Sequence, residues 1–143
     1  MALLSDDDRQ VIRTHLADLK HDVKLLLFNQ TIGGPETGPI AKQILDELEG
    51  LSERLTIEEC NFVLDKERAA GFGIDKIPGI VVLRDGEDTR IRFFGAPAGY
   101  EFMSLVEAII LAGGDDSGLS DDSKAALAAL EQPLALDVFV TPT

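Results

Sequence analysis

Residues 77–102 read Ile77-Pro78-Gly79-Ile80-Val81-Val82-Leu83-Arg84-Asp85-Gly86-Glu87-Asp88-Thr89-Arg90-Ile91-Arg92-Phe93-Phe94-Gly95-Ala96-Pro97-Ala98-Gly99-Tyr100-Glu101-Phe102, and this stretch decides the fold. Ile80 to Leu83 is apolar enough for a strand, and Ile77-Pro78 stands immediately before it. Asp85-Gly86 is a turn signal, and Ile91, Phe93 and Phe94 continue as a partner strand. The two strands form an antiparallel hairpin with a loop around Arg84 to Thr89. The segment then runs into a helix whose apolar face is Phe102, Leu105, Val106, Ile109 and Ile110, stopped by Gly113-Gly114.

Upstream of it, Val23 to Phe28 is apolar except for Lys24, as expected of a strand buried on both faces and central in a sheet. Thr31 to Pro39 is rich in glycine and proline, hence a loop, and Pro39 suits the first turn of the next helix. That helix carries Ala41, Ile44, Leu45 and Leu48 at helical spacing. Leu55 to Leu64 reads as a second strand in which Leu55 and Ile57 keep one phase and Cys60, Phe62 and Leu64 the other, so a bulge is expected. Asp65 to Ala70 makes a brief helix before Gly71 and Gly73. At the start, Ser5 caps Asp6, Asp7 and Asp8, and Val11, Ile12, Leu16 and Leu19 recur as the face of an additional N-terminal helix. This order predicts an α/β fold, a central mixed β-sheet flanked by helices on both faces.

Downstream, Asp115 to Gly118 is polar and reads as a linker. Ser120 caps an alanine-rich helix to about Glu131, Pro133 breaks it, and Leu134 to Val140 is an apolar strand closing on Thr141-Pro142-Thr143. Residues 1–114 are thus expected to be one unit, and 115–143 a linker, a helix and the first strand of a second, truncated unit. Such a strand without neighbours is expected to fold back on its own domain or to pair with a second copy through residues 120–143.

The 143 residues carry 26 acidic against 13 basic side chains, a formal charge of −13. Nucleic acid and anionic membranes are therefore poor partners, since both need a basic surface. No run approaches the roughly 18 apolar residues of a spanning helix, and residues 1–8 lack the basic and apolar regions of a signal peptide. The chain reads as cytoplasmic. Cys60 is the only cysteine, which leaves one copy without an internal disulfide, a cysteine-cluster metal site or dithiol chemistry. His15 and His21, six residues apart, read as surface polarity. No metal and no cofactor is expected.

The element order, the loop after the first strand and Ile77-Pro78 before the third match the thioredoxin fold. Residues 92–102 resemble the strand-to-helix segment in the first unit of two-unit, glutaredoxin-like protein disulfide oxidoreductases. They are also similar to the N-terminal domain of the flavoprotein subunit of alkyl hydroperoxide reductase. Both families hold two thioredoxin-fold units in tandem, and residues 137–143 resemble the strand that leads into the Cys-x-x-Cys of the second unit. The resemblance places the first unit's Cys-x-x-Cys at Pro35-Glu36-Thr37-Gly38, where this chain has no sulfur. Exchange needs a thiolate at a helix N-terminus and a second thiol three residues on, so this chain alone is not expected to be catalytic. It reads as the structural or substrate-positioning partner of a Cys-x-x-Cys-bearing second unit, in a parent protein disulfide oxidoreductase serving cell redox homeostasis.

The loop fails as a phosphate cradle: Pro39-Ile40 stands where lysine and a hydroxyl are needed, and Glu36 would repel an anion. Cys60, mid-strand and in an apolar phase, reads as buried and inert. Ile77-Pro78 is cis in the resembling fold and borders the active-site loop, so Gly34, Ile77 and Pro78 are candidate contacts for an extended peptide or a disulfide-bearing protein substrate. A free-standing, non-catalytic peptide-binding module is the alternative.

Overall fold

A computed structural model describes residues 2–141 of the chain. Its elements are α1 (Asp6–Leu16), β1 (Val23–Asn29), α2 (Thr37–Leu48), β2 (Leu55–Asn61), α3 (Lys66–Gly71), β3 (Gly79–Arg84), β4 (Glu87–Phe94), α4 (Tyr100–Gly113) and α5 (Asp121–Ala128). The four strands lie in the order β2-β1-β3-β4. β2 is parallel to β1, whereas β1–β3 and β3–β4 are antiparallel. This is the expected mixed sheet.

β1 is central because its sequence tolerates no water: every residue but Lys24 is buried. Val23, Leu25 and Leu27 point to one face and join Ile80 and Val82 in a core closed by Ile12 and Leu16 of α1, Ala41, Ile44, Leu45 and Leu48 of α2, and Leu105, Val106 and Ile109 of α4. Leu26 and Phe28 point to the other, with Val81, Leu83 and Cys60 under Ala69 of α3 and Ile74. Each such aliphatic side chain taken fully out of water contributes roughly 1.5–3 kcal/mol, so the sheet is held from both sides. α1 begins with a capping box in which Ser5 Oγ accepts from Asp8 N and the Asp8 carboxylate from Ser5 N. Its inward stripe is Ile12 and Leu16. Val11, expected on that stripe, is 56% exposed, being one residue, about 100°, around the helix from Ile12.

The structure corrects three boundaries. β2 ends at Asn61 and pairs with β1 without interruption from Val23↔Leu55 to Asn29↔Asn61, so no bulge exists there. The two phases read in the sequence are the two faces of one strand: Leu55 and Ile57 pack with the first core, Cys60 with the second. Val63 and Leu64 are exposed in a turn closed by both their amides on Asn61 Oδ1, each at 3.0 Å. The hairpin loop is also shorter than expected. β4 starts at Glu87, and Asp85 and Gly86 alone turn the chain at φ 48° and 83°, the conformation that matches strand twist. The irregularity sits instead between Val81 and Leu83 opposite Arg90, which has φ 66°.

The third correction is the tail. α5 ends at Ala128, not near Glu131, and none of its residues is buried. Leu134 to Val140 form no strand, and Phe139 is 93% exposed. The segment does not fold back on its own domain: a lone strand has no ladder to satisfy its amides and carbonyls, and β2 and β4 are both left without it. Pro142 and Thr143, the end of the expected second-unit segment, lie outside the described residues.

Glu47 of α2 is the buried carboxylate of the first core's rim. It accepts from the amides of Leu3 and Leu4, the latter at 2.9 Å, and from Arg9 at 2.8 Å, which fastens the N-terminal segment across α2. These donors, the Leu3 amide first, hold its carboxyl below the ordinary glutamate value of 4.5. Because the folded value is the lower one, the stability from these bonds is complete above 4.5 and disappears as pH falls through the folded value. Glu47→Gln is therefore expected to flatten the acid side of the stability curve, read as urea midpoints against pH. Equal acid slopes in the two proteins would contradict this.

Candidate functional site

The loop after β1 is built by short-range closure. Gln30 Nε2 donates to Ile32 O at 2.7 Å, Gly33 turns at φ 72°, and Gly38 N donates to Pro35 O at 3.0 Å. Gly34 is half-buried against Gln30, and a Cβ there would stand 1.9 Å from the Gln30 carbonyl oxygen, so only glycine keeps this path. Pro35 is half-buried, Glu36 and Thr37 are exposed and Gly38 is buried. α2 starts at Thr37, with Pro39 in its first turn as expected and Glu36 as the preceding residue, whose side chain makes no capping bond.

Asn29 is the residue that sequence reading missed. It ends β1, is buried, donates from Nδ2 to Gly38 O at 3.1 Å and accepts at Oδ1 from Gln30 N at 2.9 Å. It stitches the end of the strand to the start of α2. Its signal in the sequence is faint, a polar residue closing an apolar run. A Cβ on Gly38 would meet Asn29 Oδ1 at 2.5 Å.

Ile77-Pro78 is cis, as expected. The antiparallel register pairs Phe28 with Gly79, which sets Pro78 level with Asn29 at the end of β1 that carries the 35–38 loop. Ile77 is half-buried against the second core, Pro78 is buried, and the Pro78 carbonyl accepts from Gly95 N at 2.8 Å. Beside the first turns of α2, a hollow of about 300 Å³ opens between Leu3, Leu4, Ile40, Ile44, Pro97 and Phe102. Ile32 is 87% exposed on the loop itself. This end of the sheet offers apolar surface and glycine-shaped backbone, and residues 30–40 hold no thiol.

Cys60 lies level with Phe28, 2% exposed. Burial, above all, pushes its thiol up from the ordinary value, against an opposing pull from Arg68, whose Nη1 is 3.3 Å from Sγ. A buried thiol held protonated is a poor nucleophile, in keeping with the inert reading. Among the described residues no three histidine, cysteine or acidic side chains are grouped to hold a metal ion, and no helix is long and apolar enough to cross a membrane.

No family model matches the chain. It is 33% identical over 106 residues to the alkyl hydroperoxide reductase AhpF of Staphylococcus aureus, covering 68% of this chain and 18% of that protein. The AhpF of Staphylococcus epidermidis is 29% identical over 145 residues, 99% of this chain and 25% of that protein. The chain thus spans a quarter or less of the length of these curated relatives. Among solved structures, the N-terminal domain of AhpF from Enterococcus faecalis superposes with a TM-score of 0.81 at 28% identity, covering 90% of this chain and 62% of that one. A protein disulfide oxidoreductase from Aeropyrum pernix gives 0.75 at 29%, covering 88% and 55%. A thioredoxin from Halobacterium salinarum, at 0.56 and 13% identity, covers 78% of this chain and 88% of that one and shares the fold. The homologues and structural neighbours are those the sequence resembles, and the fold is thioredoxin-like.

Proposed function

We propose, from that kinship, that this chain is a thioredoxin-fold unit without a redox pair of its own, whose role is to hold and position a Cys-x-x-Cys-bearing second unit of a cytoplasmic thiol-disulfide oxidoreductase. The observation that carries the reading is the pairing of two facts. The relatives are parts of longer redox proteins, and Pro35 to Gly38, the place of the redox pair in the resembling units, contains no sulfur. In this reading residues 1–114 are the silent unit and 115–143 lead into the active one. The exposed apolar residues 134–140 are then the surface that the second unit, or failing that a second copy, covers. A disulfide-bearing protein substrate would lie along Gly34 to Gly38 and Ile77-Pro78, beside the apolar Ile32 and Ile40.

The rest of the gene and its product test it. The gene beyond codon 143 is expected to encode a Cys-x-x-Cys within the next strand-to-helix turn, and the whole gene product to reduce insulin. Deleting residues 1–114 from that product is expected to raise KM for the protein substrate more than it lowers kcat. A stop codon after Thr143 would overturn the two-unit reading and leave the peptide-binding module. Light scattering of this chain at rising concentration then reports whether copies pair through the tail.

A further inference from the structure

We infer that His21, held between Asp85 and Asp115, is a proton-controlled latch that fixes where the linker leaves the domain. The ring sits before β1 and reaches two other parts of the chain: Nδ1 is 2.7 Å from Asp85 Oδ2 in the β3–β4 turn, and Nε2 is 2.6 Å from Asp115 Oδ1, just past α4. A neutral imidazole carries one N–H and a protonated one carries two. Only the imidazolium can donate to both carboxylates, so the observed geometry is that of the charged ring.

The surroundings decide which arm lets go when the proton leaves. Asp85 is held independently of the ring, since its amide donates to Asp22 O at 2.8 Å and its Oδ1 accepts from Asp22 N at 3.0 Å. Asp115 lies at the start of the linker. The backbone is pinned only as far as Gly113, whose carbonyl accepts from Lys20 N at 2.8 Å and His21 N at 3.1 Å. Beyond it, Asp115 keeps only longer ion pairs with Lys20 and Arg84, each at 3.2 Å. The neutral ring therefore keeps its N–H on Asp85, turns a lone pair toward Asp115, and loosens residues 114–118, whose hold on the domain then rests on those two ion pairs.

Other charges around the ring leave this balance in place. Asp22 is paired with Arg54 at 2.9 Å and Asp116 with Lys124 of α5 at 2.9 Å. His15, Asp18 and Glu107 line the same hollow as Lys20, Asp115 and Asp116. The hydrogen bonds to Asp115 and then Asp85 raise the His21 pKa above 6.5, against burial and the Arg84 charge. Raised in the folded state, it gives a latch that is closed below 6.5 and opens as pH climbs through the folded value.

The test is a ring-carbon NMR titration of His21 in the whole chain, with heteronuclear NOEs of Asp115 to Gly118 followed across the same pH series. The expected result is a His21 midpoint above 6.5, with the linker NOEs falling at the same pH. His21→Gln, which donates to one carboxylate and does not titrate, should show the low NOEs at every pH. Asp115→Asn, which removes one carboxylate and leaves the ring in place, should lower the His21 midpoint and loosen the linker. A His21 midpoint at or below 6.5, or linker NOEs that stay constant through it, would overturn the latch. If His21→Gln does not fold, Asp115→Asn and the wild-type titration still decide the matter.

Discussion

Reduction of insulin by dithiothreitol is expected to run at its uncatalysed rate with this chain present, and to stay there in Cys60→Ser. Thioredoxin-type exchange depends on a thiolate whose pKa is lowered to roughly 3.5–7.5 at a helix N-terminus and on a resolving thiol nearby. The chain has one cysteine. That cysteine is the penultimate residue of β2 rather than at the start of α2, it is 2% exposed, and burial raises its pKa. Every requirement of the reaction is missing at once, so the expected deficit against a Cys-x-x-Cys unit is the whole catalysed rate. Turnover above background that survives Cys60→Ser would mean a mechanism without thiol exchange and would remove the basis of the silent-unit reading.

Gly38→Ala is expected to destabilise the fold by about 1–3 kcal/mol, the usual cost of forcing atoms into a packed site. The added Cβ would stand 2.5 Å from Asn29 Oδ1, and Asn29 cannot swing aside because it is buried and bonded to both Gly38 O and Gln30 N. Asn29→Ala alone should also cost on the order of 1–3 kcal/mol, since it removes the bond to Gly38 O and leaves the Gln30 amide without its acceptor. In the double variant the clash and the lost bond share one origin, so the combined loss should be smaller than the sum of the two. Equilibrium urea unfolding of the four proteins measures this, and strictly additive losses would show that Asn29 and Gly38 are not the coupled pair described above. The same clash means that installing cysteines at 35 and 38 would not simply restore a redox pair: position 38 has no room for a side chain until Asn29 is changed.

The architecture was legible because it rests on periodicity. The run Val23 to Phe28 with one charge has the length and composition of a strand covered on both faces, the Ala41–Leu48 stripe has the spacing of an amphipathic helix, and Ile77-Pro78 marks the start of β3. The errors fell where a pattern has two physical causes. Leu55–Leu64 changes phase at a bulge or wherever a strand shows both faces, and the residues do not say which. Asp85-Gly86 marks a turn, but whether the strand resumes at Glu87 or Ile91 depends on cross-strand bonds such as Thr89 Oγ1 to Val82 O at 2.7 Å. The apolar run at 134–140 has strand composition, yet a strand exists only when another backbone pairs with it.

By itself the sequence determined the order of helices and strands as far as α5, the burial of β1, the acidic surface and the absence of sulfur at 35–38, because each of these depends on residue type and local spacing. Tertiary structure alone decided that Asn29 locks Gly38, that Glu47 receives the Leu3 and Leu4 amides, and that His21 meets Asp85 and Asp115. His21 and its two carboxylates are 64 and 94 residues apart in the chain. The physical reason is that hydrogen bonds and ion pairs act over a few ångströms, and separation along the chain says nothing about distance until the sheet has closed.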